Sequence, residues 1–469
     1  MTLRSLVLTG LALMGLNLAP LAGASPYQRF DAPNLALTNA TVIDGRDQGV
    51  MRETTILVEE GRIVAIQGAE APIAEGYTRV DLDGHTVIPG LVMMHEHLFY
   101  PTGNGHYGDM LYSFPKLYLA GGATTIRTAG TTAPYGDLGV ARGVARGREI
   151  GPDMNVTAPY LNGPGLPILK IHPLRDAQNA HDLVTYWQSE GVESFKLYMQ
   201  IRQDEMETAL KLAHERGQTV TGHLCSITLG QAAELGIDNI EHGFITATDF
   251  VSDKQADTCP DGQSVKASLL ALPVDSPKMA ALIDKLVANN VAITSTLTIY
   301  ETFAKGRPIA YSEALAQMTP HVRELYLSRW SAIQQSDSEQ WRELLAKEMA
   351  WEKRFVEAGG TLLVGTDPTG YGGVVAGWSN LRALELLLET GFTLPEAVRI
   401  ASYNGAHFLG RDHEVGTIEV GKRADLAIFS SDLTGDSANF KGIRYTMKAG
   451  KLYDSQAIFA DLKGIVGLH

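Results

Sequence analysis

The sequence predicts an α/β protein: a (β/α)8 barrel with strand-rich segments at both chain ends. Residues 87–410 alternate short apolar runs with amphipathic stretches, the pattern of buried parallel strands covered by helices. Six residues suited to chemistry (His95, His97, Lys196, His223, His242 and Asp367) each lie at the end of such a run. A barrel of this class carries its functional side chains at the C-terminal ends of its strands. Outside this region, residues 36–86 and the stretch after 411 read as strands and turns.

In chain order, residues 1–24 have the three parts of a secretory signal peptide. Arg4 supplies the positive region, Leu6 to Ala19 an apolar stretch, and Ala22-Gly-Ala24 small residues for cleavage before Ser25. The apolar stretch is short for a membrane span. Residues 25–35 form a linker opening a first strand-rich part, 25–86, in which Glu60-Gly61 separates two β-branched runs as a hairpin would. The barrel follows over 87–410, and residues 411–469 return to strands.

Within the barrel, the first strand is Val87 to His97, the second Ala123 to Arg127 and the third begins at Met154. The fourth, fifth, sixth and eighth end at Lys196, His223, His242 and Asp367, and the seventh starts at Ala292. Asp204 to Glu207 looks like a capping box with a stop at Gly217, and Thr393-Leu-Pro-Glu396 opens another helix in the same way. Residues 244–290 and 300–357, the latter with a helix from Ser338, exceed what a barrel needs. Both follow a strand, so they are expected over the mouth of the site.

Composition bounds the function. The 469 residues suffice for two or three domains, and 45% hydrophobic with 20% charged residues is ordinary for a soluble globular protein. The net charge is −14, one unit more negative once Arg4 leaves with the leader. That argues against nucleic-acid or anionic-membrane partners. The expected partner is a small-molecule substrate, with homo-oligomerisation left open. The leader implies a periplasmic or secreted protein, where a disulfide is allowed. The two cysteines, Cys225 and Cys259, follow the fifth and sixth strands on the same barrel face, so a bridge is expected.

The chemistry begins with strand alternation. His95 and His97 project from one face while Glu96 points the other way, and two imidazoles on one face make a nearly pre-formed chelate. Lys196, in an apolar strand, is costly to bury charged. Tyr198, two residues on, shares its inward face and suits an oxyanion donor or a substrate contact. Arg127 ends the second strand and suits a carboxylate clamp. His172, after the third, is a candidate to reach a substrate carbonyl.

The six ligands in register resemble the amidohydrolase superfamily, binuclear-metal type, in its imidazolonepropionase-like and prolidase- and carboxypeptidase-like branch. The resemblance covers nearly the whole mature chain. It implies that the strand-rich ends form one small β-sandwich beside the barrel. It further implies two divalent metal ions: His95, His97 and Asp367 on one, His223 and His242 on the other, and carbamylated Lys196 bridging them. Imidazole and carboxylate-type oxygens suit Zn2+, with iron and manganese left open. The implied reaction is hydrolysis of a C–N bond, of a dipeptide or N-acyl amino acid, by a metal-bridging hydroxide with Asp367 as proton shuttle. The alternatives are a lactone, ester or phosphotriester hydrolase on the same centre, a mononuclear deaminase, or a non-catalytic scaffold. Relatives of the last kind lose ligands, and this chain keeps all six.

Overall fold

The computed structural model describes residues 25–30, 32–46, 49–165, 170–435 and 439–468. The expected signal peptide, 1–24, lies outside the described residues. Among the described residues no helix is long and apolar enough to cross a membrane.

Eight parallel strands follow one another in sequence: β1 (Leu91–Glu96), β2 (Ala123–Thr128), β3 (Asp153–Asn155), β4 (Ser194–Leu197), β5 (Thr219–Gly222), β6 (Asn239–Glu241), β7 (Ala292–Ser295) and β8 (Leu362–Val364). All residues of these strands are buried except Asp153 and Asn155 in β3 and Thr219 at the start of β5. Burial on both faces explains why they read as continuous apolar runs. They pair as a three-stranded sheet, β3-β2-β1, and a five-stranded sheet, β4 to β8. Hydrogen bonds connect the two sheets along both edges. Thr157 and Leu161, after β3, bridge to Ser194 and Leu197 of β4. The backbone N–H groups of Thr366 and Asp367, after β8, donate to His95 O of β1 at 3.1 and 3.0 Å. Gly365 permits that approach: a Cβ there would lie 2.3 Å from His95 Cβ. Helices follow the strands, among them Ala177–Glu190, Gln203–His214 and Trp378–Glu389.

The two chain ends meet in a single nine-stranded sheet. Its seam is Thr86–Pro89, antiparallel to Leu426–Phe429 and parallel to Asn34–Ile43. Its apolar face has its own cluster, including Leu35, Val42, Ile56, Val87, Leu426 and Met447. Joining of the two ends is as expected, and their strands hydrogen-bond into this one sheet. The Glu60-Gly61 hairpin is present: Glu59 pairs with Arg62, and φ is +47° and +80° at the two turn residues. This is the twist-matched two-residue turn.

Other expectations shift. Thr393 and Glu396 form a reciprocal capping box, whereas the helix expected to be capped at Asp204 is capped two residues earlier, at Arg202, with Glu205 accepting from Arg202 N at 2.9 Å. The helix expected from Ser338 begins at Gln340. The excursions 244–290 and 300–357 are helical but contribute no lining to the pocket at His95. A hairpin of Phe99–Gly103 with His106–Asp109 forms that wall instead. Its aromatic residues directly follow the His-x-His strand, a position the sequence pattern had left unassigned.

Candidate metal centre

The strand ends bring His95, His97, Lys196, Tyr198, His223, His242 and Asp367 into the lining of one cavity of about 150 Å3. The Asp367 carboxylate is the hub. Its Oδ1 lies 3.4 Å from His97 Nε2 and 3.7 Å from His95 Nε2, and its Oδ2 lies 3.8 Å from His242 Nδ1. His95, His242 and Asp367 each offer a ligand atom within 4.8 Å of the others. His223 stacks edge-on against His242, ring centroids 4.4 Å apart.

Three of the imidazoles have hydrogen-bond partners that fix their rings. His95 Nδ1 is 2.7 Å from Glu241 Oε2 and His97 Nδ1 is 3.1 Å from Gly130 O. Donation there leaves each Nε2 lone pair facing Asp367, the tautomer a metal ligand needs. His242 Nδ1 lies 2.8 Å from Thr296 Oγ1. His242 and Asp367 both have left-handed backbones, φ +69° and +53°; such conformations cluster at functional sites. After His242, Gly243 must lack a side chain because its Cβ would overlap Glu348 Oε1. The Glu348 carboxylate accepts the Phe244 N–H at 2.9 Å.

Electrostatics favour ligand-competent forms. Burial holds His95, His223 and His242 below the usual imidazole range, with Lys196 adding to each and Glu241 opposing at His95; His223 is pulled down to about 3. Burial would raise Asp367, but His95, His97 and His242 together hold it well below the carboxylate range. The three histidines are therefore neutral and the aspartate ionised, the forms that bind cations. Asp367 Oδ1 and Lys196 Nζ are buried without a hydrogen-bond partner. Orphaned polar atoms are costly unless something else contacts them, so the donor set fits a cation.

Two expectations change. Arg127 does not face the cavity: it is fully buried, with Nη2 2.7 Å from both Glu241 Oε1 and Asn239 Oδ1 and Nε donating to Met94 O at 2.9 Å. Its β2 position puts it in the packed interior beneath the ligands, so it braces Glu241 and cannot reach substrate. His172 is exposed and lines a neighbouring cavity, not the one at Asp367. Lys196 Nζ lies 3.6 Å from Glu241 Oε1, with burial drawing its pKa down to about 8 against the pull of Glu241. Tyr198 does face the cavity, its ring 5.0 Å from His223, and burial pushes its phenol up, so it is a donor.

Glu241 was missed. It sits beside His242 in Asn239-Ile-Glu-His-Gly, and an acid in an apolar strand was the available signal. Burial opposes its charge, but Lys196, His95 and Arg127 hold its pKa well below the ordinary range. Glu96 points away from the histidines as alternation required. There it accepts Thr366 N–H at 3.0 Å, tying β1 to the end of β8. The expected disulfide joins Cys225 and Cys259, with Cα atoms 4.8 Å apart; neither cysteine lines the cavity.

Comparison with known proteins adds the lineage. A dihydroorotase from Pelobacter propionicus is 40% identical over 121 residues, 25% of this chain and 27% of that protein. An imidazolonepropionase from Mycolicibacterium smegmatis is 36% identical over 94 residues, 20% of this chain and 23% of that protein. The chain thus aligns with about a quarter of the length of these curated relatives. Solved structures extend the likeness in fold. A Xaa-Pro dipeptidase with methionine in its active site matches with a TM-score of 0.67 at 16% identity, over 90% of this chain and 100% of that one. A bottromycin amidohydrolase matches with a TM-score of 0.68 at 19% identity, over 92% of this chain and 89% of that one. The model of the amidohydrolase family matches residues 86–453, which take in β1 to β8 and all six candidate ligands, and the chain belongs to that family.

Proposed function

We propose that this chain is a metal-dependent hydrolase of amide-type C–N bonds, acting on a dipeptide or N-acyl amino acid. The observation that carries this is Asp367: an ionised, buried carboxylate amid three imidazoles, with one oxygen lacking any hydrogen-bond partner. We read the two parallel sheets as one closed barrel, with the sheet from both chain ends beside it.

His95, His97, His223, His242 and Asp367 would hold the metal, with Zn2+ the ion their donor types suit, and Lys196 would bridge two such ions once carbamylated. A divalent cation there supplies Lewis acidity and activates water at neutral pH. Asp367 Oδ1 takes the proton from the attacking water and delivers it to the leaving amine. Tyr198 Oη donates to the oxygen that gains charge on the scissile carbonyl. Glu241 fixes the His95 ring and balances Lys196. A lysine near pKa 8 keeps a fraction of free amine at neutral pH, the form that carbon dioxide requires.

One observation favours a second reading. The tight group is His95, His242 and Asp367, and Lys196 sits against Glu241 as an ammonium would, an arrangement suited to one metal. The test for the reaction is turnover by the zinc-loaded protein, prepared with bicarbonate, on dipeptides and N-acyl amino acids beside lactones and a phosphotriester. Amide cleavage is expected; turnover of the controls alone rejects the proposal. We further propose that the protein is exported after loss of residues 1–24 and acts on a small molecule without nucleic-acid or membrane partners.

A further inference from the structure

We infer that the substrate's leaving amino acid carries a free carboxylate held by Lys170 and a large apolar side chain seated in a second chamber walled by Leu183 and Trp187. This rests on the amide-hydrolase reading for the reaction, but the chamber and its cation are features of the structure itself.

The cavity at Asp367 measures about 150 Å3 and its neighbour about 230 Å3. Neither alone reaches the ~300 Å3 at which small-molecule sites begin, whereas the two together do. They share four wall residues, Thr132, Tyr160, Lys170 and Ile171, so the two cavities adjoin, and the inferred substrate, with its scissile bond at Asp367, lies across both.

The walls state what each part accepts. Beyond the shared residues, the second chamber is lined by Pro134, Pro159, Leu161, Leu183 and Trp187, with His172 and Thr131. The apolar surface continues outward, because the exposed rings of Tyr135 and Tyr186 pack against Trp187 with centroids 5.4 and 5.1 Å away. Exposed aromatic surface continuous with a pocket marks a ligand path.

At the junction stands Lys170, a candidate cation for a carboxylate, whereas Arg127 is committed to Glu241. Its side chain is 50% exposed, and its ammonium lies 3.9 Å from Asp109 Oδ1, the outer edge of an ion pair. An exposed pair that long contributes little, so an incoming carboxylate can take over the lysine. Thr132 Oγ1, also at the junction, is buried without a hydrogen-bond partner and offers a donor to the same group. Carboxylate and side chain leave the same carbon of an amino acid, as the junction and the chamber adjoin.

Equilibrium binding of reaction products to the zinc-loaded protein tests this without turnover. Calorimetry should show phenylalanine binding at least tenfold more tightly than glycine and than phenylalaninamide. Lys170→Met should abolish the advantage over the amide while keeping that over glycine. Trp187→Ala should do the reverse, and Leu183→Phe, which fills the chamber without removing a wall, should also erase the advantage over glycine. In turnover, N-acetylphenylalanine should exceed N-acetylglycine in kcat/KM, with Lys170→Met raising KM and leaving kcat. Equal binding of phenylalanine and glycine, or unchanged carboxylate preference in a folded Lys170→Met protein, overturns the inference. The expected binding pattern with no amide cleaved overturns the hydrolase reading instead and upholds the chamber.

Discussion

The two ends of the parallel strands hold charged clusters of opposite design. At the start of β3, Asp153 meets three cations: Arg423 Nη1 and Lys448 Nζ at 2.7 Å and Arg411 Nη2 at 3.0 Å. These come from the C-terminal segment, so the cluster pins it to the parallel strands. Across the molecule, Asp367 and Lys196 leave polar atoms without partners. A satisfied cluster contributes to stability, whereas an unsatisfied one costs stability and leaves atoms available for chemistry. The comparison teaches where each kind of aspartate belongs: one at a strand start beside cationic partners, the other at a strand end among imidazoles.

The largest separation should come from Asp367→Asn. Loss of the proton acceptor should cut kcat about a thousandfold, in the range for removing a general base, while urea unfolding stays near that of the parent. Retained turnover with metal bound would show that Asp367 does not move the proton.

Metal content sharpens the unsatisfied end. Elemental analysis after preparation with bicarbonate should give two divalent ions per chain and fewer in Lys196→Ala. One ion in both proteins would favour the single-metal reading.

The disulfide tests whether that end is stiffened covalently. Its 34-residue separation sets an entropic ceiling of about 3–4 kcal/mol. Reduction should lower the melting temperature, and unfolded, unreduced protein should titrate no free thiol. Two free thiols in material folded under oxidising conditions remove the bridge from the description.

The smallest effect should come from the satisfied end. Asp153→Asn should cost about 2 kcal/mol by urea unfolding and leave kcat unchanged. Burial would raise the Asp153 carboxyl, but Lys448, Arg423 and Arg411 hold it far below its ordinary value of 3.8. Its contribution is therefore complete above the unfolded pKa, near 4, and is lost as pH falls toward the depressed folded value. The acid limb of the stability profile should flatten in Asp153→Asn; an unchanged limb would assign acid lability elsewhere.

The sequence by itself determined the strand order, the six residues at the strand ends and the face on which His95 and His97 lie. These follow from local rules: apolar run length, two-residue alternation and capping chemistry act within a few residues. It also placed the Glu60-Gly61 turn and the Thr393 capping box, where a short stretch contains all the interacting groups. Only the tertiary structure decided what Arg127, Lys196 and Glu241 do to one another, since they stand on β2, β4 and β6 and meet through packing. The same holds for the cavity wall from Phe99 and Tyr107, for Lys170 at its rim and for His172 outside it. Which way a loop folds, and which buried charges pair, depends on distant neighbours competing for the same space and the same protons, and no short-range pattern encodes that competition.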